Sequence, residues 1–135
     1  MAILEQDLRT TAHYLISEAN GYRSRGVGVI AAGSGKLKAG AVLGFLKDTK
    51  EYVPFDPRDV PGVGENPPTA QDDGRQIAVA VLYEGCDATL TAIRRTLTER
   101  DSEVVEGALQ WAEGLTDNHK AAALASLAAA GIIAR

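Results

Sequence analysis

The apolar stretches in the middle of this chain are short, and that constrains its fold more than any other feature. Between Gly26 and Pro57 they come as VGVIAA, KLKAGAVLGFL and EYVPF, each cut off by Gly, Asp or Pro. Brief runs with a period of two, punctuated by turn formers, read as strands. In the longest, Leu37, Ala39, Ala41, Leu43 and Phe45 alternate with Lys38, Gly40, Val42, Gly44 and Leu46, the pattern of one continuous strand. RQIAVAVLYEG sets Ile77, Val79, Val81 and Tyr83 against Ala78, Ala80 and Leu82. Both faces are apolar, which predicts the most buried strand of the fold. In TAIRRTLTER, Ile93 and Leu97 oppose Arg94, Thr96, Thr98 and Arg100, so one face of that strand is expected to be wet.

The rest of the chain brackets this β-rich centre. Arg58 to Gly74, RDVPGVGENPPTAQDDG, carries the Pro, Gly and Asp of a surface loop. It reads as an excursion within one domain, because strands resume directly after it. Near the end, Thr116 is placed to cap a helix starting at Asp117, whose charge suits the helix dipole, and Gly131 is placed to stop it. Leu124 and Leu127, with the small residues Ala121 and Ala128, form the expected inner stripe, and IIAR finishes as a short edge strand. At the other end, Leu4, Leu8, Ala12, Leu15 and Ile16 fit one face of a helix only loosely, and Asn20-Gly21 ends the pattern.

AAGSGKLKAG, with glycines beside a lysine, invites a phosphate-binding reading. A P-loop needs a Gly, four residues, then Gly-Lys and a hydroxyl immediately after, so that backbone N–H groups wrap the phosphates and the hydroxyl ligates the metal. Ile30 and Leu37 occupy those positions. The following segment also has a strand period where a P-loop enters a helix. GSG is therefore read as a hairpin turn, its glycines supplying positive φ.

Composition narrows the function classes. A chain of 135 residues is most simply one domain. A net charge of -4, with arginines scattered or beside acids, gives no cationic stripe for nucleic acid. Cys86 is the only cysteine, so the fold does not rest on an intrachain disulfide. The N-terminus lacks the basic and continuous apolar regions of a secretory signal, and no run is long and apolar enough to span a bilayer. No nucleic-acid or membrane partner is expected, and folding in a cytoplasm is.

Candidate chemistry is thin. A nucleophilic Cys86 would need a base, and only His13 and His119 exist; a structural thiol is the simpler reading. Asp56, Asp59, Asp72 and Asp73 lie in Pro- or Gly-rich turns where Asp bonds to local backbone. No His, Cys and acid spacing matches a zinc site, so catalytic, cofactor and metal residues are all expected to be absent. Trp111 and Tyr22 are possible interface anchors, with core packing the alternative for Trp111.

The stretch LISEANGYRSRGVGVIAAGSGKLKAGAVLG, Leu15 to Gly44, resembles the phage head decoration protein family of the lambda type. Its SEANGYRSR followed by glycine-punctuated strands and AGAVLG carries the likeness, which continues through EYVPFDP, AVAVLYEGCDAT and AAALASLAAAGIIAR. The chain departs from the plainest members by its longer Pro- and Gly-rich loop and by the charges in RRTLTERDSEVVEG. The resemblance implies a mainly β (α+β), β-clip-like domain of short strands over residues 26–135, with one C-terminal helix. It also implies an extended arm over residues 1–25 that orders against its partner. It further implies a homotrimer on the three-fold positions of an expanded icosahedral head, on the outer surface of a virion assembled in the host cytoplasm. There it binds the major capsid protein and stabilises the shell against internal DNA pressure. On the arm, the residues taken to contact the capsid are Leu15, Ile16, Glu18, Asn20, Tyr22, Arg23 and Arg25. The competing readings are a ligand-binding or trimeric hydrolase domain of the β-clip type and a phage-encoded adhesion or display module that binds something outside the head.

Overall fold

A computed structural model of the chain describes residues 11–21, 23–59, 62, 64–70 and 72–135. The fold is mainly β, 34% strand and 13% helix, as the short alternating runs predict. In order, the strands are β1 (Leu15–Glu18), β2 (Arg25–Ile30), β3 (Gly35–Leu37), β4 (Val42–Phe45), β5 (Tyr52–Pro54), β6 (Ala80–Leu82), β7 (Cys86–Ala88), β8 (Ile93–Thr98), β9 (Ser102–Val104) and β10 (Ile132–Ala134), with helix α1 (Asp117–Ala129) before the last. A short 3-10 turn, Glu106–Ala108, follows β9.

Five strands close into a barrel in the order β2-β5-β4-β6-β8, β3 pairs with β7, and β1-β9-β10 form a three-stranded sheet. The barrel strands β4 and β6 explain the doubly apolar sequences. Val42 and Val81 are register partners, as are Leu43 and Ala80. The valines belong to a core shared with Tyr14, Phe55, Val104, Leu127 and Ile132. Leu43 and Ala80 turn the other way, into the barrel interior with Ile30, Leu82, Cys86 and Leu97. Alternate side chains of a strand point to opposite faces, so a strand between two cores must be apolar at every position.

Four expectations about the strands and the turns between them need correction. KLKAGAVLGFL is two strands, because the chain turns at Ala39-Gly40 between β3 and β4. The turn is pinned by Gly40 N–H donating to Leu82 O at 2.8 Å and Gln110 N–H to Gly40 O at 2.9 Å. RQIAVAVLYEG is strand only over Ala80–Leu82, and Ile77 is exposed. Arg75 crosses over β4 just upstream, so close that a Cβ on Gly44 would stand 2.7 Å from the Arg75 Cα. GSG is a turn but not a hairpin, since β2 pairs with β5 and β8 while β3 goes to β7. The wet face of β8 also ends early, because Thr98 is fully buried.

Helix α1 starts and stops where its sequence says. The Thr116 hydroxyl accepts from the His119 N–H at 3.2 Å, and His119 Nδ1 accepts from the Thr116 N–H at 3.2 Å, a reciprocal cap with His in the place usually held by Glu or Gln. Gly131 follows the helix at φ +90°. The inner stripe is Ala123, Leu124 and Leu127; Ala121 and Ala128 are exposed instead. No helix among the described residues is long and apolar enough to cross a membrane.

The N-terminal segment is a turn over residues 11–14 and a strand over Leu15–Glu18. Leu15 and Ile16 lie in β1, which pairs antiparallel with β9, so the loose helical stripe has no counterpart from Ala12 onward; Leu4 and Leu8 lie outside the described residues. Just ahead of β1, Tyr14 is fully buried and its hydroxyl shares a 2.6 Å hydrogen bond with Thr98 Oγ1. That contact joins the segment to barrel strand β8. Tyr14→Phe should cost about 1–2 kcal/mol by leaving the Thr98 hydroxyl buried without its partner. Tyr14→Ala should cost about 3–5 kcal/mol through the cavity it opens. Urea unfolding measures both, and a Tyr14→Ala protein as stable as the parent would show that this ring is not a core element.

Candidate functional site

The residues assigned to capsid contact divide into two groups. Leu15 is half-buried against the core, and Glu18 and Arg25 face each other across the return from β1 to β2. Glu18 Oε2 accepts from Ser24 Oγ at 2.6 Å and from Arg25 Nε at 3.2 Å, while Arg25 Nη2 donates to Oε1. The guanidinium also stacks over the Tyr83 ring, 4.4 Å from its centroid. These hydrogen bonds, the arginine's foremost, hold the Glu18 carboxyl below its ordinary range. Ser24 is buried, and its carbonyl accepts from the Glu99 N–H at 2.8 Å. Ala19 N–H donates to Asp101 O at 2.9 Å. The segment is thus fastened at both ends of its turn.

The second group stands open. Ile16 is 50% exposed, Asn20 is exposed, and the Arg23 guanidinium pairs loosely with Asp101 at 3.4 Å. Tyr22 lies outside the described residues. Sequence reasoning grouped all seven together because it had no means of telling which side chains the turn uses to hold itself.

The chemical candidates are absorbed by structure. Cys86 is buried in β7, and burial pushes its thiol up, away from the thiolate a nucleophile requires. His13 packs edge-on to Tyr14 at 5.9 Å, and His119 caps α1. Asp56 pairs with Arg58 at 2.9 Å and Asp73 with Arg75 at 2.9 Å. The Asp56 carboxyl is held below its ordinary range, chiefly by Arg58, the opposite of what a general acid needs. Among the described residues no group of three or more His, Cys, Asp or Glu is placed to hold a metal. Trp111 is half-buried, its ring 6.3 Å from that of Phe55.

Lys36 sits on β3, exposed, opposite Asp87 of β7. It borders an open cleft of about 470 Å³ whose other walls include Pro54, Gln110, Trp111 and Glu113. Gly33 and Gly35 have φ of +88° and +82°, and a Cβ on either would meet nothing within 4 Å. A side chain there is penalised by conformation alone.

Two expectations follow. Gly35→Val should destabilise by about 1–3 kcal/mol, whereas Lys36→Ala should stay within about 0.5 kcal/mol. Paired urea titrations check this order, which a phosphate loop would invert into loss of nucleotide binding by Lys36→Ala. The second concerns Glu18, whose folded carboxyl titrates below the ordinary 4.5. Its contribution is fully present above that value and is lost as pH falls through the folded one. Glu18→Gln should therefore cost about 1 kcal/mol at neutral pH and almost nothing in strong acid. An equal difference at both pH values would rule out the Glu18–Arg25 pair as its source.

A search of curated proteins finds no match. The family model described as bacteriophage lambda head decoration protein D matches residues 4–132, nearly the whole described body together with the segment that leads into β1. This chain belongs to the bacteriophage lambda head decoration protein D family.

Proposed function

We propose that the chain is a structural component of a phage head, seated as a homotrimer at three-fold positions on the outer surface of the expanded shell. Bound there to the major capsid protein, it resists the pressure of packaged DNA. The observation that carries this reading is the family match over residues 4–132, since head decoration implies association with the phage capsid and location in the virion. Residues 1–25 act as the capsid-binding arm and 26–135 as the decoration body, and the described part of the arm is docked on that body through Tyr14 and the pairing of β1 with β9. The β-clip-like assignment of the body belongs to the same reading.

The surface supports assembly rather than catalysis. Val27 and Ile77 stand 59% and 51% exposed on the barrel side and its loops, apolar area available to contacts between copies. The carboxylates Asp56 and Asp73 are tied to arginines two residues on, and the Asp56 carboxyl, chiefly through Arg58, lies below its ordinary range rather than in that of an acid catalyst. We therefore read the protein as having no enzymatic role.

Co-sedimentation with expanded empty heads tests the proposal. The full chain should pellet with the heads, and cross-linking of bound copies should give trimers. Removal of residues 1–10 should weaken attachment by about a hundredfold or more, as loss of a main binding element does, with urea unfolding unchanged. A full chain that fails to bind heads would refute the capsid reading. Bound monomers would refute the trimer, and undiminished binding by the truncated chain would refute the arm.

A further inference from the structure

Three of the exposed large apolar side chains gather on one sheet. Register places Ser17 of β1, Glu103 of β9 and Ile133 of β10 side by side, and pleating turns all three to the same face. Their neighbours Ser102, Val104 and Ile132 point the other way and are buried. Val105 and Arg135 follow Glu103 and Ile133 by two and share their outer face. Ile16 sits at the register shift between Leu15 and Ser17. Ile16, Val105 and Ile133 are 50%, 39% and 39% exposed.

The charge in the middle of this face is already compensated. Glu103 Oε1 accepts from Ser17 Oγ at 3.2 Å, and Oε2 accepts from Arg135 Nε. Arg135 and Ser17 hold the carboxyl below its ordinary range. Covering an ion that already has its partners costs far less than burying one without them. β1 carries Leu15, Ile16 and Glu18, which the capsid reading above assigns to the arm, and β9 and β10 lie beside it in the same sheet, so this face continues the surface that reading gives to the arm. Among the described residues, no further strand pairs with the outer edge of β1 or of β10.

We propose that the outer face of the β1-β9-β10 sheet, with Ile16, Val105 and Ile133 around the neutralised Glu103, seats on the coat-protein surface of the head, so that the footprint extends from the arm to the C-terminal strand. This rests on the capsid reading above and adds to it a surface that the arm does not contain.

The test uses the full chain carrying Ile133→Asp or Ile16→Asp, with Leu90→Asp as a control away from the sheet. Thermal unfolding and sedimentation velocity are recorded beside co-sedimentation with expanded empty heads. Both sheet variants should keep the parent's unfolding midpoint and solution oligomeric state while head binding falls by about a hundredfold, because each places an unpaired charge in a covered apolar contact. Leu90→Asp should bind as the parent does. Parent-like binding by a folded Ile133→Asp protein, alongside lost binding on removal of residues 1–10, would overturn the sheet footprint and leave the capsid reading intact. A changed oligomeric state in Ile133→Asp would put the face between copies and overturn the proposal. A parent that binds no heads removes the reading on which the proposal stands and the proposal with it.

Discussion

The fold depends on one pair of strands that is buried on both sides. β4 and β6 present Val42 and Val81 to the core under α1, and Leu43 and Ala80 to the barrel interior. A chain of this length with few aromatic residues has little apolar area to spend on two separate walls. Sharing a wall lets one set of backbone hydrogen bonds support two cores. Other features follow from that arrangement. Gly44 is tied to it because the Arg75 backbone passes directly over β4, and α1 needs only a narrow apolar stripe because it covers one side of a wall already built.

The N-terminal segment is attached to this frame by polar contacts as much as by apolar ones. Tyr14 reaches through the outer core to Thr98, and burial pushes its phenol well above the usual range, so the ring stays neutral and the hydroxyl keeps its bond. Glu18, Ser24 and Arg25 close the return to β2 at the surface end. These side chains fix where the strand lies. The exposed ones between and beside them, Ile16 and Asn20 with the loosely paired Arg23, take little part in that attachment. If the segment binds the capsid as proposed, anchoring it in this way reduces the conformational freedom it loses on docking.

Much of this was legible in the sequence where a local rule was enough. The doubly apolar RQIAVAVLYEG pointed to a fully buried strand, and Thr116 and Gly131 marked both ends of α1. The rules failed where a distant partner decides. Nothing in KLKAGAVLGFL shows that Leu82 and Gln110 will pin a turn at Gly40. Thr98 continues a polar alternation and is buried only because Tyr14, far away in sequence, reaches it. Ala121 and Ala128 have the spacing of an inner stripe, but the helix is rotated so that Ala123 and Leu127 face the core. The candidate surface was hardest to see, since Ser17, Glu103 and Ile133 are neighbours only through the pairing of three strands distant in sequence.

That dispersal has a physical reason. A catalytic centre needs particular groups at hydrogen-bond distance, and such needs leave motifs. A surface that seats on another protein needs area, a tolerable charge pattern and edges that do not pair too early. Exposed strand edges are aggregation templates unless they are short, bent or charged. β1 is short, its register shifts at Ile16, and it carries Glu18; β10 is three residues long and ends beside Arg135. The same Arg135 that guards the edge also neutralises Glu103 in the middle of the face. One side chain thus blunts the edge and, on the proposed footprint, lowers the cost of covering the sheet.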